Sequence, residues 1–187
     1  MHKILLTFAA VAAFCLTACA QQNKSHETEG GKETLIAYFS ATGTTAKAAQ
    51  AIAEATGGTC YEITPEKSYT SADLNWNDKQ SRSSQEMSDP KARPAIKGPK
   101  ADLSKYEVVF IGYPIWWDEA PRIIKSFIES QDLKGKVIIP FATSDGSSIR
   151  NSVARLKETY PELDWKEGKL LNGGEPEKVR EWIEELK

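Results

Sequence analysis

The hexapeptide Ser40-Ala41-Thr42-Gly43-Thr44-Thr45 follows an apolar run ending at Phe39 and precedes an alanine-rich stretch with helical spacing. That placement makes it a cradle for a phosphate. A strand that turns sharply into a helix leaves the helix's first amides unpaired, with the positive end of the helix dipole behind them. Gly43 permits the turn, and Ser40, Thr42, Thr44 and Thr45 add hydroxyl donors. The loop holds no Lys or Arg, so neutral dipoles would hold the anion, which suits a phosphate monoester. Neither G-x-x-x-x-G-K-[ST] nor G-x-G-x-x-G after a strand occurs, so neither a P-loop nucleotidase nor a Rossmann dinucleotide site is indicated.

Two further clusters could do chemistry. Gly112-Tyr113-Pro114-Ile115-Trp116-Trp117-Asp118 offers adjacent indoles that are hard to bury together, since each N–H needs a partner. Thr143-Ser144-Asp145-Gly146-Ser147-Ser148 offers hydroxyls and backbone groups. Both histidines, His2 and His26, lie near the N-terminus, which leaves residues 34–187 without Ser-His-Asp or Cys-His catalysis or a histidine metal site.

The elements that must position these clusters are legible as runs. Leu35 to Phe39, Val108 to Ile111 and Val137 to Ile139 are continuous apolar stretches, as strands covered on both faces require. Cys60 to Ile63 and Lys169 to Leu171 read as weaker strands, with Cys60 expected in a buried apolar role. Amphipathic helices are expected around Ala49 and Ile52, Ile123 to Ile128, Ile149 to Leu156, and Val179 to Leu186. The order predicts an α/β, doubly wound parallel sheet. Pro140 lies inside a strand that wants a backbone donor, so a bulge or a shorter strand is expected there.

The first loop matches the flavodoxin phosphate pattern T/S-x-T-G-x-T at Ser40, Thr42, Gly43 and Thr45, and Trp116 stands four residues after the strand-end Gly112. On these motifs residues 34–187 resemble the flavodoxin family. The resemblance implies a three-layer sandwich with a five-stranded parallel sheet in order 2-1-3-4-5, and FMN as cofactor. It assigns the ribityl phosphate to Ser40, Thr42, Gly43, Thr44 and Thr45. Pro114, Ile115, Trp116 and Trp117 become the ring wall, and Thr143, Ser144 and Gly146 the pyrimidine edge. Family members carry electrons, so the expected function is an FMN oxidoreductase acting on a small acceptor such as a quinone. The alternatives are an electron carrier between proteins, or a lipoprotein that binds a phosphorylated ligand without redox work. A redox partner protein or small-molecule acceptor is implied, with NAD(P)H docking only transiently.

Two departures from the family pattern stand out. Trp117 occupies a position that is often Gly, where a backbone flip toward positive φ is costlier for a residue with Cβ, so weak stabilisation of the one-electron-reduced ring is expected. The third loop carries no aromatic, which leaves the ring's other face open or covered by Tyr69 or Trp76 from the long polar segment Thr64 to Lys105. In that segment Ser81-Arg82-Ser83-Ser84 reads as solvated surface. Acidic Asp118, Glu119 and Asp145 near the ring are expected to lower its potential.

Met1-His2-Lys3 and the apolar run Ile4 to Leu16 read as a secretion signal over residues 1–18, and Leu16-Thr17-Ala18-Cys19 matches the bacterial lipobox. Cys19 is then the lipidated first residue, and 19–33 a polar tether. This predicts a lipid anchor in the bacterial envelope, outside the cytoplasm, on the outer membrane or a periplasmic face. Residues 1–33 carry three lysines and three glutamates, so the chain's net charge of −2 belongs to the domain and gives no nucleic-acid footprint. Residues 34–187 suffice for one core, and with a single cysteine, Cys60, hold no internal disulfide.

Overall fold

Apolar continuity makes β1 (Thr34–Tyr38) an inner strand of the sheet: β2 (Thr59–Glu62) pairs with it on one side and β3 (Val108–Pro114) on the other, all parallel. The computed structural model describes residues 33–173 and 175–186. The expected signal, Cys19 and the tether up to residue 32 lie outside those residues. β4 (Val137–Thr143) follows β3, and the fifth position is shared by β5 (Asp164–Trp165) and β6 (Lys169–Leu170), both on β4. The order 2-1-3-4-5 is the expected one, with its last strand broken in two.

Helices cover both faces. α1 (Thr44–Thr56) and α5 (Pro176–Glu185) bury Ala48, Ile52, Val179 and Trp182 against Ile36 and Phe141. α3 (Arg122–Ser130) and α4 (Ile149–Thr159) lie with Leu35, Ile111 and Ile138 in the second core. Ile123, Ile124 and Phe127 are completely buried at i, i+1 and i+4, which contributes about 1.5–3 kcal/mol each and fixes α3 on the sheet. A further helix, α2 (Arg82–Ser88), stands in the long polar segment Thr64 to Lys105.

Pro140 needs neither a bulge nor a short strand. β4 pairs with β3 in unbroken register, with Pro140 opposite Ile111. Alternate residues of a parallel strand aim their backbone groups to alternate sides: the carbonyls of Ile138 and Ala142 accept from Lys166 and Leu171, so Pro140 faces the same way. Its missing N–H therefore points at the break between β5 and β6. There Gly168 lets the chain pass close by, since a Cβ on it would sit 2.9 Å from the Pro140 carbonyl oxygen. Cys60 also departs from expectation. It is exposed because β2 is the sheet's edge, and partial burial pushes its thiol upward.

Candidate functional site

The phosphate loop is built by Ser40 rather than merely decorated by it. Its Oγ accepts from the amides of Gly43 (3.1 Å) and Ala46 (3.2 Å), closing the turn around the start of α1. Gly43 sits at φ 91°, a left-handed conformation, with open space where a Cβ would be, so its backbone rather than its size demands glycine. Among the described residues no hydrogen bond satisfies the amides of Thr42, Thr44 and Thr45. Thr45 is buried, and its hydroxyl pairs with that of Thr143 at 2.8 Å, which fastens the first loop to the end of β4.

The tryptophan loop is a two-residue hairpin. Trp116 and Glu119 exchange both backbone hydrogen bonds at 2.9 Å, and the residues at its tip, Trp117 (φ 45°) and Asp118 (φ 62°), are both left-handed. Such turns favour Asn-Gly, so a Trp-Asp tip stores strain. Trp117 thus already occupies the positive φ expected to resist it, and the premise for a weakly stabilised half-reduced ring does not hold. Two clamps keep the hairpin in place. Asn151 donates to Asp118 at 2.8 Å, and this bond, followed by one from Ser147, holds the Asp118 carboxyl below its ordinary range. On the other side buried Arg122 donates to Glu119 at 2.6 Å and to the carbonyls of Met87 (2.7 Å) and Asp89 (3.2 Å). Of the three acidic groups expected to lower a ring's potential, Glu119 is therefore neutralised by its partner.

Trp116 is braced from behind. Phe39 and Tyr69 meet it edge-on, with ring centroids 5.7 and 5.4 Å away. Arg82 lies over the Tyr69 ring at 3.9 Å and donates to Glu86 at 2.6 Å, and the Tyr69 hydroxyl donates to that same carboxylate. Burial above all, then that carboxylate, pushes the Tyr69 phenol well up. Arg82 is thus a structural brace, and Ser81 caps α2 by accepting from the Ser84 amide, which corrects the reading of that stretch as solvated surface. Tyr69 supports the tryptophan and does not line the cleft.

The loops converge. One cleft of about 590 Å³ is lined by Thr42, Thr44, Pro114, Ile115, Trp116, Trp117, Thr143 and Ser144 of the expected residues. Ser40, Gly43, Thr45 and Gly146 do not line it; the first three shape or anchor its wall. Ala41, Leu74, Ser83 and Asn172, to which the sequence assigns no role, also line the cleft, together with Trp76, an open candidate, and Asp145, expected near the ring as a charge. Asn172 clamps the third loop, accepting from the Ser144 amide (2.8 Å) and donating to its carbonyl (2.6 Å). An Asn two residues past a short strand carries no signal for that.

This fold and cleft define a flavodoxin-like α/β protein with its site at the carboxyl ends of β1, β3 and β4. The family model described as Flavodoxin matches residues 33–186, and the chain belongs to the flavodoxin family. A candidate flavoprotein of Bacteroides eggerthii DSM 20697 is 61% identical over 81% of this chain and 96% of its own, with a TM-score of 0.79. Another from Bacteroides uniformis ATCC 8492 is 57% identical over 82% and 99%, with a TM-score of 0.81. A Lactobacillus acidophilus NCFM flavoprotein, solved in complex with FMN, shares the fold at 22% identity over 81% and 99%, with a TM-score of 0.64. No match was found among curated proteins.

Proposed function

We propose that this protein binds FMN in the cleft and works as an oxidoreductase that passes electrons to a small acceptor such as a quinone. The observation that carries the reading is the junction of a cation-free phosphate loop, whose Thr42 and Thr44 amides have no hydrogen bond among the described residues, and a braced tryptophan wall on one cleft. The residues fit the cofactor. Thr42 and Thr44, which line the cleft, would hold a phosphate through their amides and hydroxyls, with the α1 dipole behind them. Trp116, Pro114 and Ile115 provide an apolar face for a planar ring, and Thr143, Ser144, Asp145 and Asn172 provide the polar lining beside it. When bound, FMN supplies one- and two-electron redox chemistry; the chain binds, orients and shields it. Trp116 cannot swing away, because Phe39 and Tyr69 block its rear.

The flavodoxin family also contains simple carriers, and the same cleft serves that role. Steady-state and rapid-mixing assays decide between them: a yellow protein, reduced chemically, that turns over quinones supports the oxidoreductase, whereas one that reduces only a partner protein is a carrier. A protein that stays colourless after FMN titration points to a phosphorylated ligand without redox work. We also propose that Cys19 carries lipid and tethers the domain outside the cytoplasm, the support being the lipobox Leu16-Thr17-Ala18-Cys19. Labelling with a radioactive fatty acid that persists in Cys19→Ser would overturn this.

A further inference from the structure

Among the described residues, the large hydrophobic side chains left exposed are Trp76 and Trp117, at 71% and 48%, and both line the cleft. Single exposed hydrophobics are ordinary on a protein surface. Two indoles at one opening are not scattered.

Trp76 is held there by backbone rather than by packing. Consecutive turns tie its loop together: Leu74 donates to Thr70, Asn75 to Ala72, Asp78 to Asn75 and Ser81 to Asp78. The loop is then pinned to α2, with the Ser83 amide donating to Asp73 and the Gln85 side chain to Lys79. An indole fixed in water by a rigid loop is a contact surface for something planar. The charge of the cleft narrows what that is. Among the described residues no Lys or Arg lines it, while Asp145 does. The pyrophosphate of a nicotinamide dinucleotide, or a sulfonate, finds no counter-ion there.

Resting on the FMN reading above, we infer that Trp76 and Trp117 form the acceptor's entry to the cleft, and that they select uncharged or cationic planar aromatics over anionic ones. Trp76 is the specificity-determining residue. In the reaction so limited, two electrons from the reduced protein and two protons from water convert the acceptor's two carbonyls to hydroxyls.

The test uses the full chain loaded with FMN, reduced with dithionite and mixed with an uncharged naphthoquinone or its sulfonate. The uncharged quinone is expected to reoxidise the protein about tenfold faster at low salt, with the gap closing as salt rises. Trp76→Ala is expected to slow the uncharged quinone about tenfold, with Trp76→Phe recovering most of the rate. Equilibrium dialysis of the uncharged quinone against the oxidised protein should show the same loss of affinity, while FMN affinity stays within about twofold of wild type. Equal rates for the two quinones, a rate indifferent to Trp76, or FMN affinity falling in step with the quinone's would each overturn the inference. A protein that never takes up FMN sinks instead the reading beneath it.

Discussion

Thr45 does its work without touching the cleft. Its hydroxyl and that of Thr143 satisfy each other in a buried position, so a valine at 45 would keep the volume and strand the partner. Thr45→Val is expected to cost about 1–3 kcal/mol in urea unfolding and to weaken FMN, with Thr45→Ser close to wild type. Gly43 makes the opposite case. Nothing within 4 Å opposes a methyl there, yet φ is 91°, so Gly43→Ala is expected to lose roughly 1–2 kcal/mol by backbone strain alone. If a thermal melt of that variant matched wild type, the turn would have to relax on substitution. The phosphate pattern was readable because hydroxyls and a glycine beside a strand end are local chemistry. The division between residues that line the cleft and residues that anchor its wall was not. It depends on Thr143, 98 positions from Thr45.

At the scale of elements, the tryptophan hairpin is a strained turn held from both ends, and Arg122 is its main fastening. Its guanidinium joins Glu119, the end of α2 and the start of α3 in one partly buried set of hydrogen bonds. Arg122→Met would leave those acceptors unpaired. We expect it to destabilise the protein by about 3 kcal/mol in chemical denaturation, and to lower FMN affinity as the hairpin loosens. A variant stable but unable to bind would separate the two effects. The sheet and four of the helices follow from apolar runs and from spacing, because a buried strand or a one-sided helix writes its environment into its residue types. α2 was hidden for the same reason. Its sequence Arg-Ser-Ser-Gln-Glu-Met-Ser buries Ser83 and Met87, and one apolar residue makes no periodic signal. Pro140 misled because the relief for its missing donor is a break in a neighbouring strand, invisible along β4 itself.

For the molecule as a whole, one cluster links the segment after α2 to the far helices. Arg93 pairs with Glu129 through two hydrogen bonds of 2.7 and 2.8 Å, and the Tyr160 hydroxyl donates to the same carboxylate at 2.6 Å. Arg93 first, and Tyr160 with it, holds the Glu129 carboxyl below its usual range, against a smaller opposing push from burial. A carboxyl depressed in the folded state adds stability above its unfolded pKa and loses it as pH falls toward the folded value. The contribution should therefore be complete above roughly pH 4.3 and fade below it. Denaturation midpoints measured from pH 7 down to pH 3 are expected to fall more gently in Glu129→Gln than in wild type. Identical profiles would remove Glu129 from the acid response.

The margin of the sheet formed by β5 and β6 has one more effect. Each piece is two residues long, and the chain between them bends around Gly168, so a stray strand from a neighbouring molecule meets no continuous row of amides and carbonyls to zip onto. Copies held close together at high local concentration would be spared one common route into fibrils.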